Sequence, residues 1–129
     1  MKQDLQQKLF DKYPQLFRDV NAPMTCTCMC WGIETGEGWF QLIDQACQKI
    51  TEVSPNAYFT QIKEKYGTLC LYLVGNDAAH DAAELAEKQS YGICEHCGST
   101  QEVTTEGGWL QTLCKKCRED GHSIKDKEK

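Results

Sequence analysis

The apolar positions between residues 38 and 53 recur at spacings of three and four, which is the period of one face of an α-helix. This stripe consists of Trp39, Leu42, Ile43, Ala46, Cys47, Ile50 and Val53. Glutamine, aspartate and lysine side chains occupy the opposite face. Ser54-Pro55-Asn56 should end the helix, because proline cannot continue it. The pattern therefore predicts an amphipathic helix over 38–53 with Trp39 in the core.

Two β-strands are expected after this helix. Residues 57–63 are rich in aromatic and β-branched side chains, and residues 69–74 read Leu-Cys-Leu-Tyr-Leu-Val. The stretch 64–68 has the length and the glycine of a hairpin connection. Because the second strand is apolar on both faces, we expect it to be covered on both sides.

Two further helices complete the predicted body. Residues 4–13 carry leucines at helical spacing and should stop at Pro14. Strong helix formers occupy 78–89 after Asn76 or Asp77, either of which suits a helix N-cap. The sequence thus predicts the α+β class, with a small helix–β-hairpin–helix body over residues 1–90 and a flexible tail over 119–129.

Composition and charge narrow the classes of function. Of the 129 residues, 40% are hydrophobic and 26% are charged, which is typical of one folded domain. No stretch approaches the roughly 20 apolar residues of a membrane span, and the first residues lack the apolar run of a secretory signal. We therefore expect a cytoplasmic protein without a membrane partner. The formal charge is −5, and the chain has only two arginines, Arg18 and Arg118. Both facts argue against binding of a nucleic-acid phosphate backbone over a wide surface.

The chain contains nine cysteines. In a protein without a secretory signal, so many cysteines indicate metal binding or reduced core thiols rather than disulfides. Four of them form two C-x2-C pairs, Cys94 with Cys97 and Cys114 with Cys117, separated by residues 98–113. This is the spacing of a four-cysteine zinc site, in which each tight turn supplies one edge of a tetrahedron. Gly98 suits such a turn because it can adopt positive φ.

The residues around these pairs predict the type of zinc finger. Two short β-like segments, 102–104 and 109–112, lie between the pairs, and the second pair opens a polar segment able to form one or two helical turns. A turn, a hairpin and a helix in that order predict a treble-clef finger over 91–118, packed on the body, whereas a plain zinc ribbon would place the second pair on another hairpin. Four cysteines close the coordination sphere, so this zinc should be structural. The alternatives are four reduced core thiols or two disulfides.

The remaining cysteines carry a weaker signal. Cys26, Cys28 and Cys30 occupy every second position of their stretch. The simplest interpretation is that they are small apolar side chains of a half-buried strand. A second metal site or a redox role for this run is the other reading, and it would need a further ligand from elsewhere in the chain. Cys47 and Cys70 are expected in the core.

Several stretches of the chain resemble a family of small proteins encoded in phage and prophage genomes that carry a C-terminal four-cysteine zinc finger. The resemblance covers about residues 13–118 and is carried by Met24-Thr25-Cys26, Cys30-Trp31-Gly32, the stretch 36–40, the stretch 61–67 and the stretch 107–114. It implies a phage context, and so the cytoplasm of a host cell, but it implies no particular activity.

Three functions are compatible with these residues. The first is binding of a host or phage protein, as an inhibitor or an adaptor, through a surface formed by Trp31, Gly36, Gly38 and Phe40, because exposed aromatic residues make good contact sites. The second is nucleic-acid binding through Lys115, Lys116 and Arg118 at the second cysteine pair. The third is a metal-dependent hydrolase or nuclease with an open metal at residues 26–30. The sequence favours the first, since its three histidines form no catalytic pair and no nucleotide-binding or nucleophile motif occurs.

Overall fold

The computed structural model describes residues 1–22 and 27–121 of the chain. Its elements in chain order are α1 (Gln3–Lys12), β1 (Ile33–Glu34), α2 (Phe40–Val53), β2 (Tyr58–Lys65), β3 (Thr68–Val74), α3 (Asp77–Ser90), β4 (Val103–Glu106), β5 (Gln111–Cys114) and α4 (Lys115–Glu119). Two short 3₁₀ turns, Met29–Trp31 and Glu37–Trp39, precede β1 and α2. The predicted α+β class, with a hairpin between two helices and four cysteines clustered near the C-terminus, is confirmed.

The first three strands form one sheet in the order β1-β2-β3. β1 runs parallel to β2, whereas β2 and β3 are antiparallel neighbours. Tyr66 and Gly67 connect them with φ values of 54° and 83°, the left-handed conformation of a two-residue type I′ turn. The connection is shorter than the predicted 64–68, because Lys65 pairs with Thr68 within the hairpin.

The core of the body lies between this sheet and the helices. Trp39, Ile43 and Ile50 of the predicted stripe are fully buried, as are Phe59 and Ile62 of β2. The prediction that α2 presents an apolar face to the core is therefore confirmed. α3 packs against both α2 and β3.

The expectation that β3 is covered on both sides is wrong. Leu69, Leu71 and Leu73 are buried, but Tyr72 and Val74 on the opposite face are 39% and 48% exposed. Alternate side chains of a strand point to opposite faces, and the face that carries Tyr72 and Val74 is left partly open to solvent. An apolar composition on both faces therefore did not mean burial of both faces.

β4 and β5 form a separate two-stranded hairpin in which Val103 is paired with Cys114. α4 follows directly and runs through Glu119, so helix occupies the position where the tail was expected to begin. Residues 122–129 of the predicted tail lie outside the described part of the chain.

Candidate metal centre

The four predicted cysteine ligands come together in space. The Sγ atoms of Cys94, Cys97, Cys114 and Cys117 all lie within 4.8 Å of one another. The Cys97 and Cys114 sulfurs are 3.7 Å apart, and four sulfurs at tetrahedral corners about 2.3 Å from one ion would be about 3.8 Å apart. The arrangement can therefore hold a metal ion. Among the described residues it is the one group of three or more histidine, cysteine or carboxylate side chains with this geometry.

A tight turn presents the first pair of ligands. The amide of Gly98 donates to the carbonyl of Cys94 at 2.9 Å, and the amide of Cys94 donates to the carbonyl of Ser99 at 2.9 Å. Gly98 has a φ of 83°, which a side chain would disfavour. The amide of Cys97 also approaches the Cys94 sulfur at 3.5 Å, so the backbone itself orients that sulfur.

The second pair lies where β5 passes into α4. Cys114 is the N-cap of α4, and its sulfur accepts from the amide of Cys117 at 3.4 Å. The amide of Lys115 donates to the carbonyl of Glu102, which holds the start of α4 against the chain leading into β4. Turn, hairpin and helix follow one another as in a treble-clef finger, and the second pair is not on another hairpin.

The protonation of these thiols follows from their surroundings. The backbone amide of Cys117 lowers the pKa of the Cys114 thiol to about 7, because its N–H stabilises the thiolate. Burial raises the pKa of the Cys97 and Cys117 thiols, since the charged form loses hydration. Cys114 is thus the most acidic of these three thiols, and a cation placed between the sulfurs would supply the charge that keeps all of them deprotonated.

The first cysteine turn is fastened to the body by the segment that precedes α2. The amide of Gly38 donates to the carbonyl of Glu95 at 2.7 Å, and the amide of Gly36 donates to the Glu95 carboxylate at 2.9 Å. Trp39 donates from Nε1 to the carbonyl of Ile93 at 2.8 Å. A Cβ on Gly38 would lie 2.0 Å from a carbonyl oxygen of this turn, so the two backbones touch here.

These contacts involve two residues of the predicted partner surface. Gly36 and Gly38 already form internal contacts, because their backbones face the cysteine turn. Phe40 is half-buried and packs on the core. Trp31 differs from these three, being 61% exposed on the 3₁₀ turn before β1.

The three predicted nucleic-acid contacts, Lys115, Lys116 and Arg118, have different surroundings in the structure. Arg118 donates to the carbonyls of Thr104 and Gln111 at 2.8 and 3.1 Å and lies 3.8 Å from the Glu106 carboxylate. Its guanidinium therefore ties α4 to the β4–β5 hairpin, and its role as a phosphate contact stays a prediction. Lys115 and Lys116 are exposed.

Of the run Cys26, Cys28 and Cys30, the two described cysteines, Cys28 and Cys30, do not lie in a strand. Cys28 is exposed and Cys30 is half-buried at the 3₁₀ turn that precedes β1, so neither is the core thiol that was expected. Cys26 lies outside the described residues. The expectation for Cys47 is correct, since it is buried and burial raises its pKa, whereas Cys70 is half-buried on the outer face of β3.

Two contacts between the finger and the body were not predicted from the sequence. Glu95 is only 2% exposed although it lies within a polar cysteine turn. Thr112 of β5 donates its hydroxyl to the carbonyl of Gly67, which joins the two hairpins. No local sequence signal marks either residue, because their partners are distant along the chain and a lone glutamate is normally exposed.

Comparison with known proteins finds no matching family model, no significant match among curated proteins and no significant match among solved structures. Across residues 1–22 and 27–121, no helix combines the length and the apolar character needed to cross a membrane. The longest of these helices, α2 and α3, have 14 residues each.

Proposed function

We propose that the four cysteines bind one zinc ion and that this zinc is structural. The observation that carries the proposal is the convergence of four sulfurs within 4.8 Å, with one pair already at tetrahedral separation. Thiolate sulfur is a ligand that zinc prefers, and four protein ligands leave no coordination position for water or substrate. The zinc would hold Cys94 and Cys97 of the turn against Cys114 and Cys117 at the start of α4.

We further propose that the protein acts by binding another protein, in the cytoplasm of a phage-infected host. Support comes from large aromatic side chains that the fold leaves exposed, although contact of their apolar surface with water is unfavourable. Trp31 is 61% exposed, Tyr66 is 71% exposed and Trp109 is 54% exposed. Tyrosine and tryptophan contribute strongly to protein interfaces because they bury a large area with few rotatable bonds.

Two of these aromatic residues belong to neighbouring turns. A Cβ on Gly67, next to Tyr66, would lie 2.7 Å from Thr105 and 3.6 Å from the backbone of Leu110. The β2–β3 turn therefore lies against the tip of the β4–β5 hairpin, and Leu110 in that tip is 39% exposed. A bound zinc would stabilise this tip through β5, so the metal and the exposed side chains would act together.

Nucleic-acid binding is the second candidate function. The exposed Lys115 and Lys116 at the start of α4 favour it. Against it stand the internal hydrogen bonds of Arg118 and the overall charge of −5. Phosphate contacts would make affinity fall steeply as salt is added.

Metal content of protein purified without chelator tests the zinc proposal. We expect one zinc per chain by elemental analysis, and well below half of that in Cys97→Ser, because the fourth thiolate is lost. Cys28→Ser is the matched control, since Cys28 is also exposed but lies outside the cluster. No zinc in the wild-type protein, or equal zinc in Cys97→Ser, would contradict the proposal.

Capture from a host lysate, repeated at low and high salt and after nuclease treatment, tests the binding proposal. We expect one protein to be retained regardless of salt and nuclease, and its recovery to fall at least about tenfold with Trp31→Ala or Trp109→Ala. Retention that disappears with salt or nuclease, and with Lys115→Glu, would favour nucleic acid instead.

A further inference from the structure

β3 is an edge strand of unusual composition. It is the last strand of the β1-β2-β3 sheet, and its residues from Leu69 to Val74 include no charged side chain and no proline. Edge strands of soluble proteins are normally protected by charges, prolines, bulges or a covering element. The lack of charge and proline along β3 suggests an edge kept suitable for pairing.

The hydrogen-bonding groups at this edge can be assigned from the hairpin register. Lys65 pairs with Thr68 across the two-residue turn, so the amides of Thr68 and every second residue after it face β2. The amides of Leu69, Leu71 and Leu73 therefore face outward. Ser90 accepts the amide of Leu69 through its hydroxyl at 3.0 Å. In the described part of the chain, no hydrogen bond is formed to the outward amides of Leu71 and Leu73.

A groove lies along this edge. A cavity of about 220 Å³ is lined on one side by residues 70–72 of β3 and on the other side by His80, Glu84 and Glu87 of α3. Tyr72 of β3 lines this groove together with Glu84 and Glu87 of α3. The groove thus combines unpaired backbone groups on the strand with carboxylates on the facing helix.

The charge of α3 indicates what can occupy the groove. The helix carries four carboxylates, at positions 77, 81, 84 and 87, and one lysine at position 88. A second copy of the protein paired through this edge would bring a second acidic α3 close to the first, because α3 lines the groove along the edge. Their like charges would repel each other, whereas a basic strand would be attracted.

We propose that the groove between β3 and α3 binds an extended, lysine- or arginine-bearing peptide segment of a partner protein as an added fourth strand. The peptide pairs with the N–H and C=O groups of Leu71 in the groove and with those of Leu73 further along the same edge, and these main-chain hydrogen bonds provide affinity. Its basic side chains on one face meet Glu84 and Glu87. This inference rests on the proposed binding of another protein and names the chemistry of its recognised segment.

The test uses the full-length, metal-loaded protein labelled with ¹⁵N and a synthetic peptide of alternating lysine and valine, six residues long with blocked ends. We expect the amide resonances of Leu71 and Leu73 to shift on titration, with a millimolar or tighter Kd, and their exchange with solvent to slow. The same peptide methylated on alternate backbone nitrogens should bind at least about tenfold more weakly. A glutamate–valine peptide of equal length should not bind.

Charge reversal on α3 supplies the matched variants. The double variant Glu84→Lys with Glu87→Lys should bind the lysine peptide at least about tenfold more weakly than the wild type. The control variant Asp4→Lys with Glu34→Lys makes the same charge change at exposed positions of α1 and β1, and its affinity for the peptide should stay within about twofold of the wild type. Circular dichroism verifies that both variants fold. Equal binding by the α3 variant, unchanged binding of the methylated peptide, or no shift at Leu71 and Leu73 up to millimolar peptide would overturn the inference.

Two further outcomes separate this inference from the proposed function. A peptide-free dimer with protected Leu71 and Leu73 amides would overturn it, because a second copy would then occupy the edge. If the α3 variant still captures the same protein from a lysate as the wild type, the partner binds elsewhere. In that case the groove inference fails while the proposed function stands.

Discussion

Gly38 shows at the scale of one residue how the finger is joined to the body. A Cβ at this position would lie 2.0 Å from the carbonyl oxygen of Cys94 and 2.6 Å from the amide nitrogen of Gly98. Both are backbone atoms and cannot rotate away as a side chain could. Two adjacent chain segments must therefore separate if any side chain is introduced.

Gly38→Ala should destabilise the protein by about 3 kcal/mol, because overpacking against backbone forces the finger away from α2. Urea unfolding followed by circular dichroism measures the change. Gly108→Ala is the control, since no atom lies within 4 Å of its Cβ position, and it should stay within about 0.5 kcal/mol of the wild type. Equal stabilities for the two variants would contradict the close contact at Gly38.

Asn76 links two helices at the scale of the element. Its Oδ1 accepts the amide of Ala79 at 2.9 Å and so caps α3, while its Nδ2 donates to the carbonyl of Val53 at the end of α2 at 2.7 Å. The sequence identified Asn76 as a candidate cap because asparagine and aspartate are preferred there. The bond to Val53 was not predictable, since it depends on where the hairpin returns the chain.

Asn76→Ala should cost about 1 kcal/mol of unfolding free energy, because the first turn of α3 loses its cap. Asn76→Asp keeps the accepting oxygen and loses only the donor to Val53, so it should be intermediate. Thermal or urea unfolding of both variants checks the order. Asn76→Asp as unstable as Asn76→Ala would show that the bond to α2, and not the cap, carries the effect.

At the scale of the whole molecule, the contacts that join the finger to the body would couple the stability of the body to the proposed metal. The cysteine turn bonds to Gly36, Gly38 and Trp39, and the β4–β5 hairpin bonds to the β2–β3 turn. Structural zinc contributes about 10–16 kcal/mol in finger peptides, which is comparable with the total stability of about 5–15 kcal/mol of a typical domain. Loss of the metal should therefore disturb more than residues 91–118.

Removal of the metal by excess chelator should lower the melting temperature of the chain and shift the emission of Trp39 to longer wavelength, because Trp39 is fully buried against the cysteine turn. The double variant Trp31→Phe with Trp109→Phe isolates this signal, since both replaced tryptophans are exposed. Zinc added back should restore the emission. Unchanged Trp39 emission after complete metal loss would show that the body folds independently of the finger.

The sequence by itself determined most of the helices and strands of this protein and the four cysteines that cluster in space. Helical spacing identified α2, and the two C-x2-C pairs identified Cys94, Cys97, Cys114 and Cys117, because both signals depend on residues that are close along the chain. Only the tertiary structure decided how these parts meet. It buried Glu95, gave Gly38 an internal contact and left one face and one edge of β3 open. Each of these features depends on residues that are distant along the chain and meet only in the folded protein. The pattern of neighbouring residues therefore cannot predict them.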